Sequence, residues 1–287
     1  MKTFNDIYMN SRRKLRAAGI AAYDLETRLI LSYASGKTRE EYVASSRMYV
    51  TDPTIETTVN NLIDRRLNGE PVAYLVGEWE FYGLPMVVNE HVLIPRVDTE
   101  LLAQISIERL KKKGWQTRAL DLCAGSGCVG LALAANVPGS RIVLADISER
   151  ALAVCRLNML KNNLSRQTTA IEVDVTEPAP SLLGRFDIIV SNPPYIKTMD
   201  MEALDKSVKD FEPQIALDGG PDGLYYYRAI TTNWPILLKP GGNLAFECGI
   251  GQAADVANIL EDNNFKDIAT YKDTGGIDRV VVGTLKD

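Results

Sequence analysis

Apolar residues recur at helical spacing through the first seventy or so residues of the chain. Leu25, Leu29 and Ile30 fall at i, i+4 and i+5, and Leu62, Ile63 and Leu67 continue a similar stripe, so both segments are expected to be helices with these residues in a core. Thr38-Arg39-Glu40-Glu41, between them, has capping-box spacing and predicts a helix start. Gly69-Glu70-Pro71 is expected to stop the last helix. Trp79 to Val88 then reads as a hairpin turning at Gly83, bridging two domains. The pattern divides the chain into a helical domain over 1–70, a hairpin linker over 71–98 and a larger domain over 99–287.

Beyond Glu100 short apolar runs alternate with helical stripes, which predicts an α/β fold with a mostly parallel seven-stranded sheet covered on both faces. Strands are expected at Arg118–Leu122, Arg141–Asp146, Ala170–Val173, Asp187–Ser191, Gly242–Glu247, Lys266–Tyr271 and Arg279–Thr284. No convincing helix separates the last two, so an antiparallel hairpin is expected at the sheet edge.

Composition narrows the class. The 287 residues are 46% hydrophobic and 24% charged, ordinary for a globular protein, and no apolar run reaches the ~18 residues of a membrane span. Without an apolar leader after Met1, a cytoplasmic location is expected, with no membrane partner. Cys123, Cys128, Cys155 and Cys248 lack metal-ligand spacing and the only histidine, His91, is distant from them, so neither a metal site nor a disulfide framework is expected. Net charge is −5, and residues 1–90 balance 11 Lys and Arg against 12 Asp and Glu. A nucleic-acid partner would call for a cationic face, so a protein or small-molecule substrate fits better.

Two loops carry the candidate chemistry. Cys123-Ala124-Gly125-Ser126-Gly127 turns from a strand into the helix containing Leu131–Ala135, and its glycines let a ligand lie against backbone at a helix N-terminus. Asp146, ending the next strand, is placed to accept from both hydroxyls of a ribose. Gly125, Gly127 and Gly130 equally satisfy the G-x-G-x-x-G of a dinucleotide site, and a tight turn without ligand reads the same way. Asp174, followed by Val175, either reaches an adenine amine or caps its own turn. The second loop is Asn192-Pro193-Pro194-Tyr195, which ends a buried strand. Two prolines fix φ at about −65° and remove two donors. The Asn192 side-chain oxygen and the Pro193 carbonyl can then accept the two hydrogens of a planar NH2 group, with Tyr195 on its flat face. A plain strand-ending turn is the alternative. His91 reads as an ordinary surface or hairpin residue, Thr99 as a helix cap in preference to a substrate-backbone contact, and Glu247 as a residue near the sheet's carboxyl edge with either a structural or a site role.

With these loops together the chain resembles the class I (Rossmann-like) S-adenosylmethionine-dependent methyltransferases that modify planar nitrogens. Gly69-Glu70-Pro71-Val72-Ala73-Tyr74-Leu75-Val76-Gly77, Glu80-Phe81, Val92 to Glu100, Phe211-Glu212-Pro213, Ala216-Leu217, Gly219-Gly220, Asp222-Gly223-Leu224 and Glu247-Cys248-Gly249 with Gln252 are similar to the release factor glutamine methyltransferases over almost the whole chain. A monomer is expected, and the resemblance implies that its helical N-terminal domain docks a class 1 peptide chain release factor. It implies methylation of the glutamine of that factor's Gly-Gly-Gln motif to N5-methylglutamine, with S-adenosylmethionine as cofactor and no direct nucleic-acid contact. Residue by residue it places the cofactor on Cys123, Ala124, Gly125, Ser126, Gly127, Asp146, Asp174, Val175 and Asn192. It places the catalytic group on Asn192, Pro193 and Tyr195, and substrate contacts on these with Pro194 and Arg96. Cys123-Ala124 departs from the commoner Gly-Thr of that loop. Rival readings are methylation of a ribosomal-protein glutamine or of an exocyclic amine of DNA or RNA, and a dinucleotide-dependent dehydrogenase, which would leave Asn192-Pro193-Pro194-Tyr195 idle.

Overall fold

The computed structural model describes residues 1–286, without the side chain of Arg39. The chain forms two compact units, Met1–Glu78 with Asp205–Phe211, and Trp79–Leu204 with the chain from Glu212 onward. The helical unit holds α1 (Phe4–Ala17), α2 (Tyr23–Ser35), α3 (Arg39–Ser45), α4 (Pro53–Leu67) and α5 (Val72–Val76). Its insertion from the later chain carries the single turn α9 (Lys206–Lys209).

Local chemistry starts these helices where the sequence suggests. Thr38 and Glu41 form the expected capping box of α3, Thr3 and Asp6 form another on α1, and Asp52 with Pro53 opens α4. The predicted stripes are partly corrected. Ile30, Leu62 and Ile63 are buried, but Leu25 and Leu67 are 56% and 40% exposed. The inward face of α2 runs through Glu26, Thr27, Ile30 and Leu31. Glu26 occupies it because Arg66 of α4 grips its carboxylate at 2.6 and 3.2 Å, and Leu25, one residue or about 100° away, is turned outward. Pro71 does not end the helical region either, because α5 follows it and closes on Gly77 in the left-handed conformation. Five residues are too few for a periodic signal to register.

In the second unit β1 (Glu78–Phe81) and β2 (Leu84–Val87) form the expected hairpin, with Tyr82 and Gly83 both at positive φ in its turn. After α6 (Glu100–Lys113) come β3 (Arg118–Leu122), α7 (Cys128–Asn136), β4 (Arg141–Asp146), α8 (Glu149–Lys161), β5 (Thr168–Glu172) and β6 (Phe186–Ser191). Then follow α10 (Tyr225–Asn233), β7 (Leu238–Glu247), α11 (Ala253–Asp262), β8 (Phe265–Lys272) and β9 (Asp278–Leu285). The seven strands lie in the order β5-β4-β3-β6-β7-β9-β8, parallel from β5 to β7. β9 runs antiparallel to both β7 and β8, which makes the expected edge hairpin. β7 begins four residues before the predicted Gly242, since Pro240 and Gly241 hide its first part behind a register shift.

Alternation on the strands decides which helix lies where. Leu120, Leu122, Ile189, Leu244 and Phe246 meet Tyr227 and Ile230 of α10 and Trp234 just after it, with Val256 and Leu260 of α11. Asp121 and Leu144 point the other way, toward α7, where a Cβ on Gly130 would come within 2.1 Å of Leu144. Among the described residues no helix is long and apolar enough to cross a membrane.

Asn158 on α8 ties the hairpin to the sheet layer. Fully buried, it accepts from the Val87 N–H at 2.6 Å and donates to the carbonyls of Val87 and Ser126 at 3.0 Å each. Asn158→Leu should therefore lower stability by about 2–4 kcal/mol, because it strands several buried backbone groups at once. Chemical denaturation giving a midpoint unchanged from the parent protein would refute this role.

Candidate active site

The order of the strands creates the site. The chain moves outward from β3 to β4 to β5 and then returns to the other side of β3 with β6, so the carboxyl ends of β3 and β6 flank a topological switch point. Leu122 and Ser191 are paired in register, and the two candidate loops leave from adjacent positions immediately beyond them. A cleft of about 320 Å³ opens there, within the range of small-molecule sites.

Most of the expected cofactor residues line it: Cys123, Ala124, Gly125, Ser126, Asp146, Asp174 and Val175. Gly127 does not. It caps α7 in the left-handed conformation, and a Cβ there would lie 2.7 Å from Cys155 Sγ, so its role is to let the start of α7 pass close to α8. Cys123 also sits at positive φ, +58°, the place where the commoner loop has glycine. Burial and the charge of Asp146 push its thiol pKa up, and Cys128 rises to about 12, so both remain thiols at neutral pH.

Asp146 Oδ2 accepts from Gly125 N–H at 2.8 Å and Oδ1 from Ser148 N–H at 2.9 Å. Burial raises its pKa, with those backbone donors working in the opposite direction. Asp174 satisfies one of its two expected roles locally, since Oδ1 accepts from the Thr176 backbone and hydroxyl, and it also borders the cleft. Asp121 carries a signal that sequence spacing alone did not assign. It lies on the cleft wall under the glycine loop, accepts from Gly130 N–H at 2.8 Å, and is lifted by burial to about pKa 7.

On the second loop Asn192 and Pro194 line the cleft, whereas Pro193 and Tyr195 are not among its lining residues. Asn192 Nδ2 donates to Thr99 Oγ1 at 3.3 Å, which leaves Oδ1 as the amide's acceptor. Thr99 stands at the N-cap position of α6 but its side chain caps nothing there, contrary to expectation, because its hydroxyl serves Asn192 instead. The Tyr195 phenol reaches Glu247 Oε1 at 3.4 Å, and Gln252 Nε2 donates to the Tyr195 carbonyl at 3.0 Å. Gly219 and Gly249 admit this segment, since a Cβ on the first would lie 2.6 Å from Tyr195 Cα and one on the second 3.0 Å from its ring.

Arg96 borders the cleft and ion-pairs with Glu212, whose other oxygen accepts from Ile94 N–H at 3.1 Å. His91, expected to be an ordinary surface residue, stands on the cleft wall, as do Ile215, Tyr225 and Tyr226. Those three sit in irregular or newly started elements, where periodicity carries no information. Tyr225 and Tyr226 meet edge to face at 5.1 Å.

A family model described as the Methyltransferase small domain matches residues 96–211, and one described as the PrmC N-terminal domain matches residues 6–77. The release factor glutamine methyltransferase of Geobacter sulfurreducens is 40% identical over 278 residues, covering 96% of this chain and 94% of its own. That of Clostridium botulinum is 35% identical over 276 residues, covering 96% and 97%. Among solved structures, a methyltransferase from Pyrococcus furiosus shares the fold with a TM-score of 0.52 at 16% identity, covering 79% of this chain and 100% of that one. The switch-point cleft thus lies in a class I methyltransferase fold, and with likeness running through both units the chain belongs to the family of release factor glutamine methyltransferases.

Proposed function

We propose that the protein transfers a methyl group from S-adenosylmethionine to the side-chain amide nitrogen of the glutamine in the Gly-Gly-Gln motif of a class 1 release factor. The observation that carries the reading is the convergence, on one cleft, of a carboxylate held by the glycine loop and an asparagine whose amide oxygen is left as an acceptor. The residues present fit the cofactor. Asp146 offers a charged acceptor for ribose hydroxyls and negative charge for a cation, and Ile147, Val175 and Tyr226 offer apolar walls for a flat base.

When bound, S-adenosylmethionine supplies an electrophilic methyl on a positively charged sulfur. The protein's work is to aim a poor nucleophile at it. An amide nitrogen shares its lone pair with the carbonyl, and accepting both of its hydrogens at Asn192 Oδ1 and the Pro193 carbonyl raises electron density on nitrogen and fixes its approach. Prolines 193 and 194 keep those acceptors from relaxing away. The proton is lost to solvent after methyl transfer, since the Cys123 and Cys128 thiols stay protonated and give no base.

The helical unit is proposed to recognise the folded release factor. Its support is the match over residues 6–77 and an outward stripe on α2 at i, i+4 and i+8, in which Leu25 and Tyr33 are 56% and 55% exposed.

Four outcomes are expected. Asn192→Ala should lower kcat by roughly 10²–10³ with a smaller loss of cofactor affinity, since orientation and transition-state hydrogen bonding go together. Asn192→Asp should bind the cofactor but turn over slowly, because a new charge beside sulfur favours the ground state in which the positive charge is concentrated. Near-normal kcat in the aspartate variant removes Asn192 from the mechanism. Asp146→Ala should weaken S-adenosylmethionine binding by roughly 1–3 kcal/mol in calorimetry. Tight binding of a nicotinamide dinucleotide in place of S-adenosylmethionine would refute the cofactor assignment. Leu25→Glu should raise KM for an intact release factor about tenfold and leave that for a Gly-Gly-Gln peptide unchanged, and equal effects on both substrates would argue against docking by this face.

A further inference from the structure

Behind the cleft, at the end of β7, lies a carboxylate that the proposed chemistry does not use. Glu247 is 1% exposed, and its Oε2 has no hydrogen-bond partner among the described residues. A buried carboxylate oxygen left unpaired costs stability, so its retention needs a reason. Its neighbours supply one. The Tyr195 phenol lies 3.4 Å from Oε1, and the Thr99 hydroxyl is close enough to favour the ionised carboxylate. Thr99 in turn receives the Asn192 Nδ2 hydrogen at 3.3 Å.

We infer that Glu247 is a positioning residue for methyl transfer: through the Thr99 hydroxyl it turns the Asn192 amide so that Oδ1 faces the incoming NH2 group, and through the Tyr195 phenol it fixes the segment that follows. The inference rests on the glutamine-methylating reading above. Its logic is the direction of the hydrogen bonds. An ionised carboxylate only accepts, so Thr99 must donate to Glu247 and can offer Asn192 nothing but a lone pair. Thr99 is 2% exposed and cannot turn to water instead. Asn192 must then donate from Nδ2, and Oδ1 is the atom left for substrate. A protonated Glu247 can donate to Thr99, which frees the threonine proton to point at Asn192. The asparagine amide can then turn over and meet the substrate NH2 with its own NH2, donor against donor.

The polarity of this chain depends on whether Glu247 is ionised. Burial is the largest influence and raises its pKa to about 7. The Thr99 and Tyr195 hydroxyls and the Arg279 guanidinium of β9 favour the charged form, while Asp98, beside Thr99, opposes it. Arg279 is itself engaged, by Asp273 at 3.2 Å and Asp98 at 3.5 Å. From α10, Tyr227 donates to the Glu247 main-chain carbonyl at 2.9 Å, and the thiols of Cys128 on α7 and of Cys248 remain neutral. The active polarity is the ionised one, so methyl transfer should fall as pH drops through about 7.

The experiment uses the full-length protein, a synthetic Gly-Gly-Gln peptide and labelled S-adenosylmethionine, with kcat/KM for the peptide measured at saturating cofactor from about pH 5.5 to 8.5, so that a titrating Asp121, which acts through cofactor binding, does not set the limb. The unaltered protein should lose activity about tenfold per pH unit below the midpoint. Glu247→Gln, which offers both a donor and an acceptor at every pH, should flatten that limb and run roughly 10- to 100-fold slower at pH 8. Its cofactor affinity should be unchanged and its melting temperature at pH 8 no lower than that of the parent. The sign follows from linkage. A carboxyl whose folded pKa is raised binds its proton more tightly when folded, so stability is lost as pH climbs from the unfolded value toward 7, and the neutral amide escapes that loss. Thr99→Val breaks the same chain elsewhere and should be comparably slow, Thr99→Ser should recover most of the rate, and the double variant Glu247→Gln with Thr99→Val should be no slower than the worse single one. Retention of the acid limb in Glu247→Gln, additive losses in the double variant, or a melting temperature that falls in step with rate would each overturn the inference. Failure of the unaltered protein to methylate either the peptide or an intact release factor would overturn the functional reading itself, a result distinguishable from all of these.

Discussion

The parallel pairing of β3 with β6 is the constraint on which the site depends. With Leu122 opposite Ser191, the glycine loop and the Asn192 loop must leave the sheet side by side, although 69 residues separate them in the chain. The same pairing is locked below by Ser191 Oγ, which donates to the Leu122 carbonyl at 2.8 Å. A slip of two residues here would keep every apolar side chain on its proper face and still separate the loops by about 7 Å. Hydrophobic patterning tolerates such a slip. The polar contacts at the strand ends do not, since Asn192 would lose Thr99 and Ser191 Oγ would lose the Leu122 carbonyl.

How legible the molecule is in its sequence follows from the range of the forces involved. Capping boxes, the Tyr82-Gly83 turn and the apolar runs of β3 and β4 are local, and each is readable within a few residues. The edge hairpin was legible because nothing helical separates its strands. Leu25 misled because its environment is set by a charge pair 40 residues apart, Glu26 with Arg66, which takes the inward position that hydrophobicity alone assigns to leucine.

The site divides along the same line. Asn192, Asp146 and the glycine loop announce themselves because their chemistry lies within a few consecutive residues at a strand end. His91, Thr99 and Asp121 do not. Thr99 looks like a helix cap from its spacing, and only the arrival of Asn192 from β6 shows that its hydroxyl is engaged elsewhere. Asp121 sits in a strand whose neighbours are all apolar, and its partner, the Gly130 amide, becomes visible only when α7 folds back over β3. Close approach of that helix requires glycine at 130, so a residue read from sequence as part of a fingerprint proves to be a packing requirement as well.

Three carboxyl groups surround the reacting region, and they are not equivalent. Asp146 is repaid for burial by two backbone donors, Asp121 by one, and Glu247 by the Tyr195 hydroxyl on one oxygen with nothing on the other. Asp146 and Asp121 border the cleft. Glu247 is absent from the cleft lining. A group that neither touches the ligand nor finds full compensation in the fold acts most directly on what it does touch, the hydroxyls of Thr99 and Tyr195. Its negative charge is then useful for a geometric reason: a carboxylate that can only accept imposes a direction on the hydrogen bonds leading to Asn192, and direction is what a substrate with two hydrogens to give must find.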